Sequence, residues 1–186
     1  ETATLNFLKN DKELFRTIGL NKTLEQHETA LNDIQTIDGF DANLLKRYIE
    51  YMGEVGDETF PNTIDNPNLK EIHEKNLLNL LNVKYLVTNV EINDTNFKFV
   101  QQNTVDSLNI WQRIKYSQTQ YIYENRNFLP RAYLVNDYKV IEEPENILAE
   151  LKSEDYTPSY IILEENPGIS TGSRSEIEPV PIKHYT

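Results

Sequence analysis

Cysteine is absent from the 186 residues, so disulfides, thiolate nucleophiles and cysteine-ligated metals are excluded, while the redox compartment is left open. Glycine is scarce, at six residues, which argues against glycine-rich loops that cradle phosphates. No Gly-x-Ser-x-Gly elbow, phosphate-binding loop or dinucleotide fingerprint occurs. The histidines His27, His73 and His184 are far apart and show no metal-ligand spacing. No apolar run approaches the roughly 18–20 residues of a membrane-spanning helix, and no signal-peptide pattern is present. Basic clusters are also missing: Lys46-Arg47 is the only adjacent basic pair, within a net charge of −12. Such a field repels phosphate backbones and anionic headgroups, so nucleic acid is not expected as a partner. No cofactor and no metal is expected either.

The chain is long enough for one ordinary domain with a real core. Eleven tyrosines and seven phenylalanines supply bulky, rigid material for that core. The hydrophobic fraction of 38% lies below the average of about 45–50%, so the surface should be polar. Opening on Glu1-Thr2-Ala3-Thr4 rather than Met, the chain reads as a piece of a longer protein.

Residues 4–9 give a short helical or extended start, and Leu14 to Ile18 reads as a strand stopped by Gly19. Residues 21–36 should be a loop with a weak helix, followed by a short extended piece at 34–37. Asp38-Gly39 signals a turn, and Asp41 is placed to cap a helix over 42–52 that Gly53 and Gly56 end. The apolar spacing of Leu69, Ile72, His73, Leu77, Leu80 and Leu81 predicts a helix over 68–81, with His73 packed on its apolar side and Asn82 closing it. Strands are expected at 83–87, 97–101, 110–116, 120–124 and 132–135. The Asn93-Asp94 pair suggests a hairpin between the first two. Pro144 opens a short helix over 146–151, and Tyr160-Ile161-Ile162-Leu163 reads as a strand buried on both faces. The expected fold class is α+β, one mixed sheet with helices packed on it, in a single mixed domain over 1–166. Residues 167–186 have a linker composition, and their last stretch reads as a strand whose partners are missing; that tail is not expected to fold alone.

Few side chains suggest chemistry. Asp38 and Asp41 flank a Gly-Phe turn and offer carboxylates to a cation, although a turn former followed by a helix cap is the simpler reading. Trp111, with Tyr116, Tyr121 and Tyr123, could stack on sugars, yet aromatics are favoured in strands in any case. Asn21-Lys22-Thr23 and Asn93-Asp94-Thr95 match the glycan-acceptor sequon, a pattern short enough to arise by chance. Runs such as Glu142-Glu143 and Glu164-Glu165 read as solvated faces.

Three ordered segments carry a resemblance. They are Ile37-Asp38-Gly39-Phe40-Asp41 running into Leu44-Leu45-Lys46-Arg47-Tyr48, then Leu77 to Val87 with its Asn82-Val83-Lys84-Tyr85, and then Tyr123 to Val135 with its Asn127-Phe128-Leu129-Pro130-Arg131-Ala132. Together they resemble the C-terminal extracytoplasmic part of YfhO-like bacterial membrane proteins, over roughly residues 7–165. That family is similar to multi-span glycosyltransferases that use polyprenyl-phosphate sugars. The resemblance implies an accessory domain on the extracytoplasmic face of the cell membrane. Its partners would be the transmembrane part of the parent chain and a cell-envelope glycan. A carbohydrate-binding or adhesion module without catalytic role is the alternative. The acidic catalytic residues of such transferases lie near membrane spans that have no counterpart here, so no catalytic residue carries over. Arg131, beside a proline-fixed backbone, is the one matched side chain suited to clamp a phosphate or carboxylate. Pairing with one of the many acids is the competing reading.

Overall fold

The strand Val83–Thr88, β2 below, is buried at every position, and the first part of the fold is assembled around it. The structure is a computed structural model that describes residues 2–38, 45–56, 69–104 and 119–168. In chain order it contains α1 (Ala3–Asn10), β1 (Arg16–Gly19), a 3-10 turn (Leu20–Lys22), α2 (Gln26–Leu31), α3 (Lys46–Val55), α4 (Lys75–Leu80), β2, β3 (Phe97–Thr104), β4 (Thr119–Asn125), β5 (Asp137–Val140), α5 (Pro144–Lys152) and β6 (Tyr160–Leu163). The chain divides into two compact units, 1–129 and 130–186. The fold class is mixed α+β. Among the described residues no helix is long and apolar enough to cross a membrane.

In the first unit a four-stranded mixed sheet has the order β1-β2-β4-β3. β1 and β2 are parallel, β4 runs antiparallel to β2, and β3 closes the far edge against β4. The expected hairpin between β3 and β2 therefore does not form. Asn93-Asp94 does turn the chain, with Asp94 Oδ1 accepting from the Asn96 amide at 2.9 Å, but β4 lies between the two strands. The strand expected at 110–116 lies outside the described residues.

The core draws Leu5 and Leu8 of α1, with Leu24 and Ile34, onto Tyr85, Val87 and Ile122. Thr2 caps α1 through its hydroxyl, which accepts from the Leu5 amide at 3.3 Å, and this settles the ambiguous start as helical. Phe7 and Phe15 meet the Tyr85 ring edge-on at centroid distances of 5.2 and 5.1 Å.

Two helices depart from their expected bounds. α3 runs through Gly53 to Val55, and Leu45 occupies its N-cap position; Asp41, the expected cap, lies outside the described residues. α4 is one short piece of the expected 68–81 helix. Residues 69–74 are extended because tertiary partners take their backbone groups. Asn21 N–H donates to the Leu69 carbonyl at 3.0 Å, and His73 N–H to the Val55 carbonyl at 2.9 Å. An isolated antiparallel bridge joins Gly56 and Ile72. The crossing is tight: a Cβ on Gly56 would lie 2.6 Å from the Glu71 carbonyl oxygen. His73 consequently leaves the apolar face and is exposed. Asn82 ends α4 as expected, at φ 61°, the left-handed conformation that closes helices.

The second unit contains β5 and β6, paired in parallel and linked through α5, which begins at Pro144 in its first turn. The strand expected at 132–135 is displaced to 137–140. β6 forms where expected but is only half-buried, with Ile161 exposed. Its apolar run reflects strand preference rather than burial on both faces. The tail beyond 168 lies outside the described residues.

Candidate functional site

The segment 34–37 adds to the parallel side of the sheet. Thr17 N–H donates to the Gln35 carbonyl at 2.8 Å and Ile37 N–H to the Thr17 carbonyl at 3.0 Å, and the Thr17–Thr36 bridge is parallel. Segment 34–37, β1 and β2 thus run in one direction, and their carboxyl ends deliver Asp38, Leu20 and Thr88 to one edge of the sheet. In α/β sheets this is the edge where ligands bind.

Asp38 is the sequence candidate that the fold buries. Its side chain is enclosed, and Oδ1 has no hydrogen-bond partner. Burial pushes its carboxyl up to about 7, against hydrogen bonds from its own amide, the Gly19 amide and the Thr36 hydroxyl, which pull the other way. Nearby, Tyr48 of α3 donates its hydroxyl to the Ile37 carbonyl. Burial raises the Tyr48 phenol, with Arg16 opposing and Asp38 adding to the shift. Arg16 Nη1 donates to the Leu81 carbonyl at 3.2 Å. The result is an enclosed carboxyl raised toward neutral pH, near enough to the Tyr48 phenol for the two to interact. Asp38 can store a proton, but its carboxylate is packed inside rather than presented to a ligand.

A second polar cluster surrounds Lys84, which the sequence hid in the apolar run Val83-Lys84-Tyr85-Leu86-Val87. Its ammonium lies 2.5 Å from Asp11 Oδ2 and 2.8 Å from Glu13 Oε2. The rings of Phe15, Tyr85 and Phe128 stand 5.7, 5.2 and 5.7 Å away, within cation–π range. Burial pulls the Lys84 ammonium down, but the hydrogen bonds to Asp11 and Glu13 outweigh it and raise its pKa. For Asp11, burial raises the carboxyl, and the Lys84 bond with the Glu13 and Tyr85 contacts brings it below its ordinary value. This is a lysine charge fully answered by its neighbours, and the cage around it is filled by the chain itself. The signal in sequence was a lone lysine between apolar strand residues, two acids of the 11–13 stretch being its partners.

Within the first unit, the second and third of the segments that carry the resemblance meet. Asn82 Nδ2 donates to the Leu129 carbonyl at 2.8 Å, and Leu129 N–H donates back to the Asn79 carbonyl at 3.1 Å. Asn125 Nδ2 reaches Asn79 Oδ1 at 2.8 Å and the Val83 carbonyl at 2.9 Å. Tyr51 donates to the Leu77 carbonyl at 2.8 Å, which ties α3 to α4, while Tyr48 ties α3 to Ile37. The sequence shows these asparagines in order but gives no sign that they bond to one another.

Arg131 is half-buried and belongs to the second unit. Asp41 and Trp111 lie outside the described residues. Tyr121 and Tyr123 are built into β4, and Tyr123 is buried. Among the described residues no group of three or more His, Asp or Glu side chains is placed to hold a metal ion. No family model, no curated protein and no solved structure matches this chain.

Proposed function

We propose that this chain is a non-catalytic accessory domain of a polytopic membrane protein. It would stand on the extracytoplasmic face and serve a parent that transfers sugars from polyprenyl-phosphate donors to a cell-envelope glycan. The observation that supports this reading is the way the resembling segments use their polar groups. Asn82 bonds to Leu129, and Asn125 to Asn79 and Val83, across the second and third segments, while Tyr48 bonds to Ile37 within the first and Tyr51, just beyond it, reaches Leu77 of the second. Residues employed in this way fix a scaffold and leave the chemistry to another part of the parent, as a bracing or acceptor-positioning domain requires. Part-buried polar networks of this kind are stabilising when every member is satisfied.

The test is the complete reading frame that contains the chain. Many apolar spans upstream, with an acidic residue in an early outside loop, would support the proposal and direct the search for catalysis there. A frame without any span would overturn it. A glycan-array experiment on the chain would then examine the binding-module alternative.

A further inference from the structure

The carboxyl ends of β1 and β2 open on a cavity of about 490 Å³, within the span of roughly 300–1,000 Å³ usual for small-molecule sites. Its apolar lining comes from Leu20, Ile72, Val90 and Phe97. Its polar lining includes Asn21, Thr88 and three carboxylates, Glu71, Glu91 and Asp94, against the single ammonium of Lys70. The carboxylates are not equivalent. Asp94 is answered by Lys75, which with the Asn96 bonds holds its carboxyl down to about 2. Glu71 lies 3.8 Å from His73. Glu91 has neither an ion pair nor a hydrogen bond to another described side chain.

The backbone that carries Glu91 is fixed on both sides. Val90 N–H donates to Thr88 Oγ1 at 3.2 Å and Ile92 N–H to the Tyr123 hydroxyl at 2.9 Å. Across the cavity Asn21 sits at φ 57°, ψ 35°, a left-handed conformation held by its amide bond to the Leu69 carbonyl at 3.0 Å. The backbone of two walls is thus hydrogen-bonded to the rest of the unit, and such preorganisation lowers the entropy cost of binding.

We propose that this cavity binds a small organic ammonium ion with an apolar body. The ammonium pairs with Glu91, and the body rests on Leu20, Ile72 and Phe97. Charge complementarity selects the class: an excess of carboxylate in the lining, on a chain of net charge −12, repels carboxylates and phosphates. The apolar floor prefers a hydrocarbon body over a bare polyamine. This inference stands apart from the accessory-domain reading, because it uses only the cavity.

The experiment is an amide-resonance titration of the 186-residue chain with n-hexylammonium, 1-hexanol and hexanoate. The proposal expects saturable shifts at Asn21, Thr88 and Glu91 with n-hexylammonium. Binding of 1-hexanol should be about fivefold weaker, the scale of one partly screened ion pair, and hexanoate should give no saturable shift. Glu91→Gln should bring n-hexylammonium down to the level of 1-hexanol and leave 1-hexanol unchanged. Equal binding of the three probes, no saturable shift at these amides, or undiminished ammonium binding by Glu91→Gln would each overturn it.

Discussion

Replacing Asp38 by asparagine keeps the shape and one acceptor oxygen but removes the charge. In the folded chain the Asp38 carboxyl keeps its proton up to about pH 7, whereas its ordinary value is 3.8. Between these values the folded state binds more protons than the unfolded state, so stability falls as pH rises. The stabilisation is complete below pH 3.8 and lost once pH passes about 7. At 1.36 kcal/mol per pKa unit, a shift of about three units corresponds to about 4 kcal/mol across the whole window. Between pH 5 and 8 the share is about 3 kcal/mol, a large part of the 5–15 kcal/mol typical of a folded protein. Asp11 and Asp94, whose carboxyls are held down, act in the opposite sense but at lower pH. Urea unfolding followed by circular dichroism at pH 5 and pH 8 gives the slope. Amide-exchange protection at Ile18 and Val87 confines the reading to the first unit. The native chain should be more stable at pH 5, and Asp38→Asn should flatten the difference and exceed the native stability at pH 8. A native chain equally stable at both values, or an Asp38→Asn variant that keeps the slope, would refute the reasoning.

Three further outcomes follow from the packing. Gly56→Ala should cost about 1–3 kcal/mol by overpacking against the Glu71 carbonyl and Leu69. Gly53→Ala, with nothing within 4 Å of its added Cβ, should gain about 0.5–1 kcal/mol from helix preference; urea midpoints of the pair give both signs. Asn82→Ala should lose about 1–3 kcal/mol, because it strands the Leu129 carbonyl and places alanine at a left-handed position; thermal unfolding measures it. Lys84→Met should let the Asp11 carboxyl rise, since the hydrogen bond from Lys84 is what chiefly holds it down; carboxyl-carbon resonances followed against pH report the direction.

Much of the fold was legible where one local signal agreed with its tertiary use. β1, β2 and β4 were read from β-branched and aromatic runs that the sheet then buried. Pro144 marked the start of α5, and Asn82 the end of α4. The readings that failed had a period but the wrong partner. Leu69 and Ile72 have helical spacing with Leu77 and Leu80, but their backbone groups are taken by Asn21 and the Val55–Gly56 turn, which no local pattern shows. The Asn93-Asp94 turn was real, and the strand that returned to β2 came from farther along the chain. Tyr160 to Leu163 looked like a two-sided core strand, yet among the described residues the pair it forms with β5 leaves Ile161 exposed. The candidate site was legible only in part. Asp38 stood out by its place in a turn, while its enclosure depends on the 34–37 segment joining β1. The cavity beside Glu91 assembles residues from 20 to 97 and left no trace in spacing.

The measurement that tests the accessory-domain proposal most directly is sugar transfer by membranes that carry the complete parent protein. A polyprenyl-phosphate sugar serves as donor, and membranes with this domain deleted are assayed beside them. The proposal expects transfer by the complete protein, a marked loss on deletion, and none by the 186-residue chain alone. Transfer by the isolated chain, or deletion without effect, would contradict it.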